Sequence, residues 1–214
     1  HGRSPGTRRR FTMDECAQAA IEVLDATGVE APVVVCGTSW GGFVAPRMAL
    51  LAPERVRAMI LFNTSAERGT LFDRLKATLL TELLAIGRLD PMTAPMIISG
   101  LLAPETRNRE PQLGTELAAQ FLAWNRQSFI TTVRSVLVHR DPILDALSDV
   151  NAPALIVSGA QDHTLPSIHG RRIAQAMPNA RHVDVNDAAH LVPLEAPKEA
   201  NALIVKFLKE LNGR

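Results

Sequence analysis

Three side chains in this sequence could together activate an oxygen nucleophile: Ser39, Asp162 and His190. A serine hydroxyl is a poor nucleophile at neutral pH. It becomes effective when a base takes its proton and a carboxylate fixes the base's tautomer and stabilises its cation. Ser39 lies in Gly37-Thr38-Ser39-Trp40-Gly41-Gly42, after the apolar run 32–36 and before an apolar segment of helical character. G-x-S-x-G between a strand and a helix reads as a nucleophile elbow, a tight turn that lifts the hydroxyl above the sheet. Gly37 and Gly41 are expected to flank that turn because a Cβ at either would strike neighbouring backbone. The N–H of Trp40, the residue after the serine, would be one donor to an oxyanion.

The pattern alone is weak, and the chain carries a second copy, Gly2-Arg3-Ser4-Pro5-Gly6. No strand precedes that copy and Pro5 has no N–H to donate, so it reads as loop. Asp162 and His190 follow Ser39 in the order acid then base, the order found when the nucleophile sits on a strand–elbow–helix unit. All three fall in loops after predicted strands, which parallel pairing gathers at one end of a sheet. Asp187 is the competing acid, but it is too close to His190 in sequence to brace the ring easily. His163 points elsewhere if Asp162 points in. His139, His169 and His182 fall in an insertion, a helix and an edge strand. No Cys/His cluster has metal-ligand spacing, and the chemistry needs no cofactor.

The elements that position these residues can be read along the chain. Thr12 and Glu15 form a capping box, and Cys16, Ala19, Ala20, Val23 and Leu24 keep a helical period up to Gly28. Apolar runs at 32–36, 56–62 and 154–158 read as buried parallel strands; 180–185 is more polar and reads as an edge. A helix from about Gly42 to Leu51 ends at Pro53. From 66 to 145 no β-rich run occurs. Leu71, Leu75, Leu79, Leu80, Leu83 and Leu84 mark an amphipathic helix, Pro91, Pro95, Pro104 and Pro111 break the middle, and 117–123 and 129–138 read as helices. This is a helical insertion in a β/α alternation, and it would lie over the strand C-termini, where open α/β sheets keep their sites. Residues 166–177 and 194–211 read as the closing helices. The units are therefore a core of 1–65 and 146–214 and a helical cap of 66–145.

Composition sets the outer limits. The 214 residues are 46% hydrophobic, and 23 Lys plus Arg against 22 Asp plus Glu leave a net charge of +1. Nothing there points to nucleic acid or an anionic membrane surface; Arg8-Arg9-Arg10 reads as a solvated loop. No apolar run approaches the ~18 residues of a membrane span, and no signal peptide opens the chain, so a soluble, cytoplasmic protein is expected. The two cysteines, Cys16 and Cys36, make no disulfide framework, and Cys36 reads as a small core residue. The chain opens on His1 in a turn, which reads as sequence missing before it.

Four segments resemble the α/β-hydrolases along the whole chain: His1-Gly2-Arg3-Ser4, Gly37-Thr38-Ser39-Trp40-Gly41-Gly42, Gly159-Ala160-Gln161-Asp162, and Ala189-His190 followed by Leu194-Glu195-Ala196-Pro197. The resemblance implies an α/β-hydrolase fold with a partial parallel sheet, the last four of the usual eight strands, flanked by helices. His1-Gly2-Arg3-Ser4 is similar to a loop after the family's fourth strand, so the first four strands would be absent. The family's second oxyanion donor, from the loop after its third strand, would be absent with them, leaving the Trp40 N–H. Arg140-Asp141-Pro142-Ile143-Leu144-Asp145 through the Asp162 loop looks like 3-oxoadipate enol-lactonases and haloperoxidase-like esterases. The implied activity is cleavage of a small-molecule carboxylic ester or lactone through an acyl-enzyme, with Ser39 as nucleophile, His190 as base and Asp162 as orienter. Ser39-Trp40-Gly41 is also similar to proline iminopeptidases, which gives a peptidase alternative. A non-enzyme alternative is a fragment that keeps triad residues without a complete site.

Overall fold

The structure is a computed structural model that describes residues 6–86, 97–98 and 100–213. The second G-x-S-x-G copy, the His1-Gly2-Arg3-Ser4 segment, and Pro91 and Pro95 lie wholly or mainly outside the described residues.

Four strands form one parallel sheet in the order β1 (Val33–Thr38), β2 (Val56–Phe62), β3 (Ala154–Gly159) and β4 (Ala180–Val185). The central strands are apolar apart from the exposed Arg57 at the start of β2 and Ser158 near the end of β3, because both faces are covered. Side chains alternate between faces, and the two cores show it. Met59, Leu61 and Ile156 pack with Ala17, Ile21, Ala45, Met48 and Ile173 on one face. Ala58, Ile60, Phe62, Leu155 and Val157 pack with Val185, Ala200 and Phe207 on the other. The first face is covered by α1 (Met13–Ala26), α2 (Trp40–Leu51) and α7 (Ile168–Ala176), the second by α9 (Pro197–Asn212).

Local signals set the element ends. Thr12 Oγ1 accepts from Glu15 N while Glu15 Oε2 accepts from Thr12 N, so the expected capping box starts α1. Gly28, just past the helix, adopts φ +70, where glycine carries no Cβ penalty. The closing helix differs from expectation. It is two pieces, α8 (Val192–Glu195) and α9, broken at Ala196 (φ −131, ψ 59). Pro197 lacks an N–H and disfavours helical geometry in the residue before it, so the chain stops and restarts there.

Cys36 is not a core residue: it is exposed. It stands on β1, at one edge of the sheet.

Between β2 and β3 the described residues form helices: α3 (Leu71–Ala85), α4 (Pro104–Arg109), α5 (Pro111–Leu122) and α6 (Arg126–Val133). A π-helical turn (Arg134–Val138) and a 3-10 turn (Asp145–Asp149) follow. Only the C-terminal half of the expected leucine stripe on α3 turns inward, with Leu84 buried and Leu80 and Leu83 partly so. Leu71, Leu75 and Leu79 are 69%, 57% and 61% exposed, whereas Ala77, Thr81 and Leu84 are buried. Ala77 packs against Val133, Val138 and Phe129, and Arg134 Nε donates to Thr81 Oγ1 at 3.1 Å. Ala77 and Thr81 face the neighbouring elements, and Leu71, Leu75 and Leu79 are turned outward.

Candidate active site

The register of the sheet assembles the site. Thr38 pairs with Phe62, Phe62 with Val157, and Gly159 with Val185. The four strands therefore end together, and the loops holding Ser39, Asn63, Asp162 and His190 all leave from that end.

Ser39 is held in the left-handed region at φ 52, which is uncommon for a residue with a Cβ. Its N–H donates to Phe62 O at 2.9 Å, and its carbonyl accepts from Phe43 N at 3.2 Å and from Thr64 Oγ1 at 3.0 Å. Gly37 is required here, since a Cβ would stand 2.4 Å from the carbonyl carbon of Gly41. Gly41 is not: a Cβ there meets nothing within 4 Å. The elbow's second tight contact falls one residue later, at Gly42, where a Cβ would lie 2.5 Å from Thr64 Cβ. Trp40 is the first residue of α2, so its N–H lies at the helix's positive end. Its ring stacks on Phe11, with centroids 5.5 Å apart.

Asp162 and His190 are both buried and joined by a 2.8 Å contact between Oδ2 and Nδ1. A carboxylate only accepts, so Nδ1 donates and Nε2 is the nitrogen left to take a proton. The other carboxylate oxygen, Oδ1, accepts from Thr164 N at 2.8 Å and Leu165 N at 2.9 Å. One side chain thus closes its own loop and orients the imidazole. Burial raises the Asp162 pKa, but the His190 bond and charge, the Leu165 N–H and Asn63 outweigh it. The carboxyl is held below its ordinary value.

Ser39 shares the site's end of the sheet, but its hydroxyl makes no hydrogen bond to His190 among the described residues. The connection runs through the backbone. Ser39 N bonds Phe62 O, and the next residue, Asn63, bonds the Asp162–His190 pair. Asn63 is fully buried at φ 46, and its Nδ2 donates to Asp162 Oδ2 at 2.9 Å and to Ala189 O at 2.8 Å. Sequence reasoning missed this residue. Its only signal was a polar, turn-prone triplet, Asn63-Thr64-Ser65, ending a buried strand.

The other candidates lie apart. Asp187 is exposed, and the carboxylate on His190 is that of Asp162. His169 Nδ1 contacts Glu67 Oε2 at 2.7 Å. Ser158, His182 and Asp184 form another Ser/His/Asp group with the wrong geometry. Ser158 Oγ (3.0 Å) and Asp184 Oδ1 (3.7 Å) both approach Nε2 of His182, so no nitrogen relays between them. Among the described residues no His/Cys/Asp/Glu group could hold a metal ion, and no helix is long and apolar enough to cross a membrane.

Comparison with known proteins gives a consistent family. A family profile described as alpha/beta hydrolase fold matches residues 1–197. The chain is 30% identical over 210 residues to a protein named non-heme bromoperoxidase BpoC from Mycobacterium tuberculosis, covering 94% of this chain and 76% of that one. It is 22% identical over 213 residues to 3-oxoadipate enol-lactonase 2 from Acinetobacter baylyi, covering 99% of this chain and 76% of the relative. Its fold superposes on a thermophilic esterase from Thermogutta terrifontis with a TM-score of 0.89 at 22% identity, covering 98% of this chain and 76% of the other.

Proposed function

The chain belongs to the α/β-hydrolase family, and we propose that it is a serine hydrolase cleaving a small carboxylic ester or lactone through an acyl-enzyme. One observation carries this reading: the buried 2.8 Å Asp162–His190 pair, on loops that leave the same end of the sheet as the strained Ser39 turn. Relatives named for esterase and enol-lactonase activity support the substrate class.

In this reading Ser39 Oγ attacks the carbonyl carbon as Nε2 of His190 takes the hydroxyl proton. Asp162 fixes the tautomer and stabilises the imidazolium. The Trp40 N–H donates to the developing oxyanion. Collapse expels the alcohol, which receives the proton from His190, and water then repeats the sequence to release the acid. The contact between nucleophile and base is often loose before substrate binds, and here it closes when substrate seats. The cap is residues 66–145. Its support is a set of bonds to the acid and base loops: Thr164 Oγ1 donates to Gly100 O at 3.1 Å and His190 N to Leu101 O at 3.1 Å.

The test is turnover of p-nitrophenyl acetate with labelling by a fluorophosphonate probe. Wild type turns over and is labelled at Ser39, and Ser39→Ala loses both. Turnover that survives Ser39→Ala, or wild type without turnover or label, overturns the reading.

A further inference from the structure

Glu195 is 2% exposed and lies five residues after His190, outside the hydrogen-bonded pair described above. Its carboxylate gathers three backbone N–H groups. Oε1 accepts from Ala189 N at 3.0 Å and Leu191 N at 2.9 Å, the two residues on either side of His190. Oε2 accepts from Ala103 N at 2.6 Å, in the helical insertion. Arg109 of α4 adds a bond from Nη2 to the Glu195 carbonyl at 2.8 Å, and His190 N itself donates to Leu101 O at 3.1 Å. One buried side chain therefore holds both flanks of the imidazole and the insertion on a single anchor.

We propose that Glu195 is a positioning residue that couples docking of the 100–109 segment to the placement of His190. The imidazole is correctly set against Asp162 only while Ala103 and Arg109 are seated on the Glu195 turn. This rests on the reading of His190 as the base. The carboxylate's two-oxygen geometry is what the coupling needs. A glutamine can offer one oxygen to Ala189 N and Leu191 N, but it then turns an NH2 donor toward the Ala103 N–H. Glu195→Gln thus keeps the loop's own two bonds and breaks the link to the insertion.

Two variants test this, Glu195→Gln and Arg109→Ala. Arg109 has a half-exposed side chain, and its loss leaves the core intact. The readouts are the low-field proton resonance of the His190 Nδ1–H held by Asp162, followed with pH, and kcat and KM on p-nitrophenyl acetate. Both variants are expected to broaden or shift that resonance. Both should lower kcat more than they change KM, by up to about a hundredfold for Glu195→Gln, the scale expected when a reacting group is misplaced by about 1 Å. The double variant is expected to be little worse than Glu195→Gln, because the two act through one docking event. A folded Glu195→Gln protein with an unchanged resonance and unchanged kcat overturns the proposal. If Glu195→Gln does not fold, an unchanged resonance in Arg109→Ala overturns it instead. Wild type that shows the resonance but no turnover fails the hydrolase reading alone, and the coupling is then judged on the resonance.

Discussion

Gly159 lets the loop carrying His190 lie directly against the end of β3, and Gly159→Ala should separate them. A Cβ at 159 would stand 2.0 Å from Ala189 O and 2.5 Å from Ala188 O. Ordinary contact begins at 3.4 Å, so the loop must withdraw by about 1.4 Å or the strand must yield. Neither partner is soft. Ala188 and Ala189 are buried, Ala188 O accepts from Gln161 N at 3.0 Å, and Ala189 O accepts from Asn63 Nδ2 at 2.8 Å. Withdrawal on that scale breaks the Asn63 bond and carries His190, the next residue, away from Asp162. Overpacking of this kind costs about 1–3 kcal/mol, a fall in Tm of about 2–12 °C for a chain of this size. A shift of about 1 Å in a reacting group lowers kcat by about a hundredfold. The assay pairs circular-dichroism melts with p-nitrophenyl acetate turnover at fixed pH. A Gly159→Ala protein that melts with wild type and turns over normally would show that the loop does not rest on β3. One that melts early but keeps full kcat would refute the link between that contact and His190.

Gly41→Ala should leave turnover and Tm close to wild type, whereas Gly42→Ala, facing Thr64 at 2.5 Å, should lower both; equal effects in the paired melts would refute the elbow geometry. Asn63→Ala strands Ala189 O and removes one donor from Asp162; chemical denaturation should show a loss of about 1–3 kcal/mol with a lower kcat, and unchanged stability would refute the role given to this side chain. His182 faces Ser158 on β3, Asp184 on β4 and Gly170 and Arg171 on α7, and burial holds its pKa below the ordinary imidazole value. Between that lowered value and the ordinary one of about 6.5, the unfolded chain binds a proton that the folded chain does not. Stability should therefore fall as pH drops from 7 to 5, and His182→Gln should flatten the slope of Tm against pH.

The sequence disclosed what depends on order and period. That Ser39, Asp162 and His190 would leave the same end of the sheet was legible because parallel strands collect the loops that follow them, whatever the separation along the chain. The strands at 56–62 and 154–158 were legible because a strand covered on both faces is apolar at nearly every position, with Arg57 and Ser158 as the exceptions. What it hid depends on close approach. The letters of G-x-S-x-G direct attention to Gly41, but Gly42 is the residue against Thr64, and only the packing of the loop after β2 shows it. Cys36 looks like a core residue in a run of valines until β1 is seen to be an edge. The leucines of α3 follow a helical period, yet period alone does not say which face is inward. Ala77 and Thr81 face the neighbouring elements, and Leu71, Leu75 and Leu79 are turned outward. Asn63 had no signal beyond its turn-prone triplet, since its role needs a left-handed backbone and two acceptors from distant loops.

Backbone strain points to the same residues by a separate route. Among the described residues, Ser39 and Asn63 are the two non-glycines with positive φ. Such conformations cost of order 1–3 kcal/mol each and persist only where the surroundings over-determine them. The surroundings do so here. Ser39 is fixed through its own N–H and carbonyl by Phe62, Phe43 and Thr64, and Asn63 by Val157 O, Asp162 and Ala189 O. The strain at each position depends on the other, because Phe62 and Thr64, which hold Ser39, flank Asn63 in the chain. A substitution that relaxes Asn63 therefore loosens the Ser39 turn as well as the Asp162–His190 pair. Ser39 and the Asp162–His190 pair are joined here through the end of β2, so this short stretch of backbone sets how they lie relative to one another.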